Sequence, residues 1–260
     1  GLYVAEGFCR KNTEKKGFYQ VSIACTEKEI RDKIKIIMKK YFNLDPSENH
    51  KDHLTFSSRI LYEFFIDILK TGDNAHNKRI PFMFLNLPKK KIASFLSGYF
   101  DGDGSVSRGE LRVSCDSVSK DLLIDIEFVL RRFGIYVKRY TYCKKPGKTV
   151  SDFYKRKNRE VPSFKITKLL ILSDYCNVFY KHINFSLKRK KNILENNIKN
   201  IKPVGMKIAK FGNFVMPKIR SIEQLNEEVS YCLNVENNIV VANGIATGQC
   251  DGDEVAVILL

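Results

Sequence analysis

One short pattern occurs twice in this chain and limits what it can fold into. GLYVAEG (1–7) and GYFDGDG (98–104) share small residues, an aromatic residue and a terminal acid followed by glycine. Each copy leads into a strand-like segment, GFYQVSIAC (17–25) or ELRVSC (110–115), and then a polar turn at Thr26-Glu27 or Asp116-Ser117. Helical patterns follow. Ile30, Ile34, Ile37, Met38 and Tyr41 fall on one face of the first, and Leu122, Leu123, Ile126, Val129, Leu130 and Phe133 on one face of the second. Further strand candidates lie at 53–56, 136–142 and 163–167, and further helices at 60–70 and 173–183. Two half-repeats of this kind predict a pseudo-twofold α+β architecture. The lobes span about 1–80 and 81–200, with TGDNAHNKRIP (71–81) between them.

The texture changes after about residue 184. LKRKKNILENNIKNIK (187–202) reads as a charged, Asn-rich helix or linker. From Met206 the pattern becomes short strands with turns, one of them marked by Asn243-Gly244, so 201–249 reads as a separate small β unit. Residues 250–260 have a third texture, acidic and then apolar. Gly1 opens directly inside a motif and is not Met, which leads us to expect that the sequence starts within a longer protein.

Charge points to a partner. Lys and Arg number 45 against 29 Asp and Glu, a formal charge of +16. A polyanion is the expected partner, nucleic acid first, because each neutralised phosphate releases a counterion. A surplus of Lys of the thermophile type is the alternative, although Glu is not enriched to match. An anionic membrane is disfavoured, since no basic amphipathic helix adjoins an apolar anchor and no apolar run approaches a span. The seven Cys include no CxxC pair, which argues against structural zinc and for reduced thiols in an intracellular protein.

The repeated motif can carry chemistry. On a helix Gly1 and Ala5 lie four apart, as do Gly98 and Gly102, so each helix presents a face of very small residues. Two such faces can pack closer than the usual 8–10 Å or so between helix axes. Glu6 and Asp103 then meet at the C-terminal ends of the two helices, where the dipoles are negative and divalent cations are attracted. Metal ions so held can activate water and stabilise a leaving oxygen of a phosphodiester. A calcium loop is excluded: DGDGSVSRGELR has Gly at its fourth position and Arg112 at its twelfth.

LSGYFDGDG (96–104) and GLYVAEG (1–7) resemble the two LAGLIDADG motifs of homing endonucleases. The resemblance implies that the motif helices pack at a pseudo-twofold axis and that curved sheets fill the DNA major groove. It implies that Glu6 and Asp103 bind Mg²⁺ (or Mn²⁺) and cut both strands of duplex DNA, the intein-less allele of the host gene. The first motif departs from the pattern by lacking Asp at Val4. The family also places a basic residue near each active site, and Lys78 and Lys165 match by context. A DNA-binding module of this fold that no longer cuts, or an RNA maturase of the same fold, are the alternatives. Basic and aromatic residues interleave in IYVKRYTYCKK (135–145) and DFYKRKNRE (152–160). On a ribbon in the major groove, Lys138, Arg139, Tyr140, Lys155 and Arg156 would contact DNA, with Lys138, Arg139 and Tyr140 aimed to opposite faces in turn. A solvated hairpin is the plainer reading of the same residues.

VSYCLNVENNIVVANGIATGQC (229–250) resembles the C-terminal splicing blocks of inteins, a β-rich segment of the Hedgehog/intein type. The resemblance implies that Gln249 cyclises and that Cys250 is the nucleophile of the following host segment. It also places an N-terminal splicing half ahead of Gly1, so this chain alone would not splice. Gly248 stands where the penultimate residue is often His, and Asn237 or Asn238 where the strand block often has one. CDGDEVAVILL (250–260) resembles the acidic motif of the archaeal family D DNA polymerase large subunit, in which Asp251 and Asp253 would bind metal. The resulting expectation is an intracellular monomer of cytoplasm or nucleoid. It would hold an endonuclease at 1–200, an intein segment at 201–249 and a host fragment at 250–260.

Overall fold

A computed structural model describes residues 1–205 except 15–16, 48–50, 146 and 158, and beyond them 209–211, 214–216, 221, 224, 239–242 and 245–248. The chain divides into two compact units, Gly1–Val204 and Gly205–Leu260.

Within the first unit the repeat is visible as two lobes. The first comprises α1 (Leu2–Glu6), β1 (Gly7–Asn12), β2 (Phe18–Ala24), α2 (Lys28–Phe42), β3 (His53–Ser57) and α3 (Arg59–Glu63), which continues as a π-helical turn at Phe64–Ile68. The second comprises α4 (Lys89–Gly102), β4 (Gly104–Val106), β5 (Val113–Ser117), α5 (Lys120–Arg131), β6 (Val137–Lys144), α6 (Lys148–Arg156), β7 (Phe164–Ile171) and α7 (Ser173–His182), and α8 (Lys188–Asn200) follows. Each lobe sets a motif helix before an antiparallel sheet, ordered β1-β2-β3 in the first and β4-β5-β7-β6 in the second. β3 pairs with β2 as β7 pairs with β5. Among the described residues no full strand answers to β6 in the first lobe, where the bridge Ser47–Thr55 occupies that side of β3.

Alternation decides which face of each sheet is covered. Val21, Ile23, Leu54 and Phe56 are buried on one face of the first sheet, and Val113, Cys115, Leu169 and Ile171 on one face of the second. Leu122, Ile126, Val129 and Leu130 of α5 and Ile30, Ile34 and Met38 of α2 are buried as their periodicity predicts, but Ile37 and Tyr41, expected on the same face of α2, are exposed. Burying a side chain of this size stabilises a fold by about 1.5–3 kcal/mol. Ser119 caps α5, its Oγ accepting from Leu122 N at 3.2 Å.

One sequence expectation needs correction. DFYKRKNRE (152–160) does not form a ribbon: most of it lies in α6, which places Lys155 and Arg156 in an exposed last turn. Two cations suit the negative end of a helix. Of the two readings of LKRKKNILENNIKNIK, the helix holds: α8 buries Lys190, Leu194 and Asn197 along one stripe that Leu187 extends. In the second unit β8 (Ala209–Phe211) pairs with β9 (Phe214–Met216), and β10 (Ile239–Ala242) with β11 (Ile245–Gly248). The Asn243-Gly244 turn, Asn237, Asn238, Gln249, Cys250, Asp251 and Asp253 lie outside the described residues. No helix among the described residues is long and apolar enough to cross a membrane.

Candidate active site and nucleic-acid interface

The site is built where α1 crosses α4. A Cβ added to Gly1 would lie 2.0 Å from Phe95 O, and one added to Gly102 would lie 2.6 Å from the Ala5 Cβ and 2.9 Å from the Glu6 Cγ. Only residues without side-chain bulk allow this approach, so the small-residue faces read from the sequence are the faces that meet. Glu6 and Asp103, at the C-terminal ends of the two helices, thereby come together. Burial raises the Glu6 pKa, which nearby Lys190 partly offsets. Burial first, and then the charge of Glu6, raise that of Asp103 to about 8, against the pull of Lys190 and Lys78. Two desolvated carboxyls, the second held back further by the charge of the first, form a donor pair for a hard cation. Among the described residues no cluster of three or more His, Cys, Asp or Glu could hold a metal, so any further oxygen ligands come from other groups.

Each helix end also receives a buried lysine. Lys78 Nζ donates to Tyr3 O at 3.2 Å and to Gly72 O at 3.3 Å, and lies 3.6 Å from the Tyr3 ring centroid. Its pKa is lowered by burial to about 8. Gly72 makes this loop possible: its φ is +81°, and a Cβ there would fall 2.2 Å from Asn77 O. Ser119 Oγ donates to Lys78 O at 2.8 Å, and the neighbouring Arg79 forms a two-pronged pair with Asp125 at 2.8 and 2.9 Å. The linker is thus fastened to α5 of the other lobe.

Lys190 on α8 does the same for α4. Its Nζ donates to Phe100 O (3.1 Å), Asp101 O (2.6 Å), Gly102 O (3.1 Å) and Gly104 O (2.6 Å). Phe100 holds in the second motif the place that Tyr3 holds in the first, so the two lysines address equivalent carbonyls. Asp101 accounts for the departure at Val4. Its carboxylate accepts from Ser186 N at 2.9 Å, from Leu187 N at 3.0 Å and from Ser186 Oγ, fixing the start of α8 and hence Lys190. Val4, its counterpart, is simply buried core.

Lys165 is therefore corrected as the partner of Lys78. It is exposed on β7 opposite Cys143, four positions from Leu169, about 13 Å along a strand. The family resemblance suggested it by context, but a later helix, α8, supplies the buried ammonium. The signal for Lys190 was a lysine within the Leu187–Leu194–Asn197 stripe, where an apolar residue is expected.

Residues 90–184 match the LAGLIDADG-like domain family. The chain therefore contains a LAGLIDADG-like domain. It is 34% identical over 269 residues to the DNA polymerase II large subunit of Thermococcus kodakarensis, an alignment that takes in 100% of this chain and 15% of that protein. The chain thus spans a small part of its relative's length. The fold is similar to I-DmoI in complex with DNA and Ca, with a TM-score of 0.51, 15% identity and coverage of 75% of this chain and 93% of that one. Mesophilic variants of the homing endonuclease I-DmoI give a TM-score of 0.51 at 16% identity, with the same coverage.

Among the described residues the two sheets leave one face each without a helix. Register puts Phe8, Arg10, Gln20, Ser22 and Thr55 on the open face of the first. Lys138, Tyr140, Tyr142, Asp116 and Lys168 share the open face of the second. There Tyr142 OH donates to Asp116 Oδ2 at 3.0 Å, and Lys168 pairs with Asp116 at 3.3 Å. Arg139 is on the other face, paired with Glu127 of α5 at 3.3 Å. It supports the sheet from behind, so the expectation that it shares the open face with Lys138 and Tyr140 is corrected.

Proposed function

We propose that this LAGLIDADG chain is a site-specific, metal-dependent endonuclease that cuts both strands of duplex DNA. The juxtaposition of Glu6 and Asp103 at glycine-packed helix ends, each backed by a buried lysine on the equivalent carbonyl, carries this reading. The first acid serves one strand and the second the other, as a pseudo-twofold site facing a duplex requires.

Glu6 and Asp103 would hold the divalent cations. The oxygen donors and their unfavourable desolvation without a countercharge fit Mg²⁺ or Mn²⁺. Such an ion supplies Lewis acidity and lowers the pKa of its water. I-DmoI, similar in fold, has been seen with DNA and Ca. Lys78, with its pKa near 8, can hold or release a proton close to neutrality beside the first helix end. Lys190 neutralises the negative end of α4 and keeps positive charge where a scissile phosphate would lie. The open sheet faces, with Arg10, Gln20, Lys138 and Tyr140, suit a major groove, and the +16 charge suits its phosphates.

The wider reading is homing within an intein that interrupts a DNA polymerase large subunit. The polymerase relative supports it, aligned over the whole of this chain. Residues 201–249 would then be the C-terminal part of the splicing domain and 250–260 host sequence, in an intracellular monomer. Gln249 and Cys250 would be the splicing pair and Asp251 and Asp253 host metal ligands.

The test is cleavage of a plasmid carrying the uninterrupted polymerase gene, with Mg²⁺. The wild-type chain should make one double-strand break near the insertion point. Glu6→Gln and Asp103→Asn should each lose about 10³-fold in rate, the equivalent of several kcal/mol of metal stabilisation, yet still bind. Binding without any cut by the wild type would reduce the chain to a DNA-binding module, and preference for structured RNA would favour a maturase.

A further inference from the structure

The surplus charge of this molecule is unevenly placed. Residues 1–80 hold 15 Lys and Arg against 11 Asp and Glu, whereas residues 81–200 hold 25 against 11. The lobes share their acids, their motif helices and the inner strands of their sheets, so the excess sits where they differ. It lies in one connection. Between α2 and β3, residues 43–52 carry Lys51 against Asp45, Glu48 and Asp52. Between α5 and β7, residues 132–163 carry ten Lys and Arg against Asp152 and Glu160. A net charge of −2 in the first lobe thus answers to +8 in the second, which accounts for the whole difference between them.

Most of that charge gathers at one corner of the second sheet. Lys144 ends β6, Lys148 opens α6, Lys155 and Arg156 close it, and Lys157 and Arg159 follow. All six are exposed, and none forms an ion pair with a described residue. Like charges this close repel one another until a polyanion neutralises them. β6 is the strand farthest from β4, and Lys144–Phe164 is the last rung of the β6–β7 ladder. Gly104, next to Asp103, pairs with Cys115, and Cys115 with Leu169. From Leu169 to Phe164 is five steps of β7, about 17 Å. A duplex cut at the acids and lying along these strands leaves the sheet there, about five base pairs out. Lys144 shares the open face with Lys138, Tyr140 and Tyr142, so the basic corner continues the surface suited to DNA.

We propose that α6 and the tip of the β6–β7 hairpin clasp the phosphates of duplex DNA outside the stretch covered by the sheets, on the second lobe's side only. The contact is blind to sequence, because phosphates carry no base information. The second lobe anchors the substrate in this way, and the first lobe, with acidic residues in the corresponding connection, does not. This inference rests on the nuclease reading above and adds to it a one-sided grip on flanking DNA.

The test uses the full chain and the duplex of the cleavage assay with long flanks, and the same duplex with either flank removed. Binding is measured in EDTA. The wild type should lose about tenfold or more in affinity when one flank is removed and little when the other is, and scrambling the sequence of the effective flank should change nothing. Lys155→Gln, Arg156→Gln, Lys157→Gln and Arg159→Gln together should weaken binding to the long duplex about tenfold or more and lower the slope of log K against log salt by about 3. On the duplex without the effective flank this variant should match the wild type. Its cleavage rate at saturating protein in Mg²⁺ should be unchanged. An equal loss by the variant on all three duplexes would place these cations over the half-site and overturn the proposal. Unchanged affinity of the variant for the long duplex would overturn it as well, with the nuclease reading intact. A wild-type chain that binds none of the duplexes would overturn both.

Discussion

Lys190 Nζ lies within hydrogen-bond reach of four main-chain carbonyls, more acceptors than an ammonium has protons. Lys190→Met leaves those carbonyls without their charged donor, so Tm should fall and single-turnover cleavage should drop by about 10²-fold or more. Asp101 acts through Lys190. Asp101→Asn keeps the side-chain shape but loses the charge that holds the two backbone N–H groups of Ser186 and Leu187. It should slow cleavage while leaving DNA affinity within about threefold, since Asp101 faces α8 rather than an open sheet face. The pKa of Asp103 is raised from 3.8 to about 8, so the folded state binds its proton more tightly than the unfolded chain. That contribution to stability is complete below pH 3.8 and is lost as pH rises to about 8. Without metal, Asp103→Asn should therefore raise Tm by about 4 °C or more at pH 8.5 and by much less at pH 5, as a calorimetric series in EDTA would show. An equal gain at both pH values would contradict the assigned pKa. Lys78, with its pKa lowered to about 8, titrates across the upper pH point in both proteins, so the difference from wild type at each pH is the quantity to read.

The crossing of α1 and α4 is the element on which the site depends. Gly102→Val puts methyl groups into the space of the Ala5 Cβ and the Glu6 side chain. Overpacking of this kind costs about 1–3 kcal/mol and parts the acids as well. Urea unfolding should show that loss, with cleavage falling further than stability alone explains. Gly147→Ala, where a Cβ would meet nothing within 4 Å, is the control and should be silent. β6 offers a second contrast. Lys138 is exposed on the open face, while Arg139 pairs with Glu127 behind the sheet. Lys138→Ala should lower the slope of log K against log salt by about 1. Arg139→Ala should leave that slope alone and lower Tm slightly. The faces follow from strand alternation, legible in sequence, but which face meets the helices was not. β6 is an edge strand whose exposed pattern gives little alternation to read.

Across the first unit, pseudo-symmetry holds where chemistry requires it and lapses elsewhere. The acids, the glycine faces and the two lysine-capped helix ends repeat. Among the described residues the sheets do not: the first lobe has three strands and a bridge, the second four strands. The Arg79–Asp125 pair and the donation from Ser119 to Lys78 O tie the linker of one lobe to the helix of the other. Arg79→Ala should therefore destabilise the lobes together, in one cooperative unfolding transition, by about 3 kcal/mol, since it leaves a mostly buried Asp125 without its partner. Two separated transitions in the wild-type Gly1–Val204 unit would argue against that coupling.

The sequence by itself determined the repeat, the α+β class, the covered face of α5, part of that of α2, and the small-residue stripes that let two helices touch. These are local or periodic properties, and side-chain size and spacing fix them within one element. Only the tertiary structure decided that α8 returns to bury Lys190 under α4, that Asp101 serves α8, that Arg139 turns toward Glu127 and that DFYKRKNRE is mostly helix. A lysine or aspartate in a sequence carries no mark of its acceptor when the two lie on different elements. Its burial becomes tolerable only once the chain has closed and brought the carbonyls or amides to it.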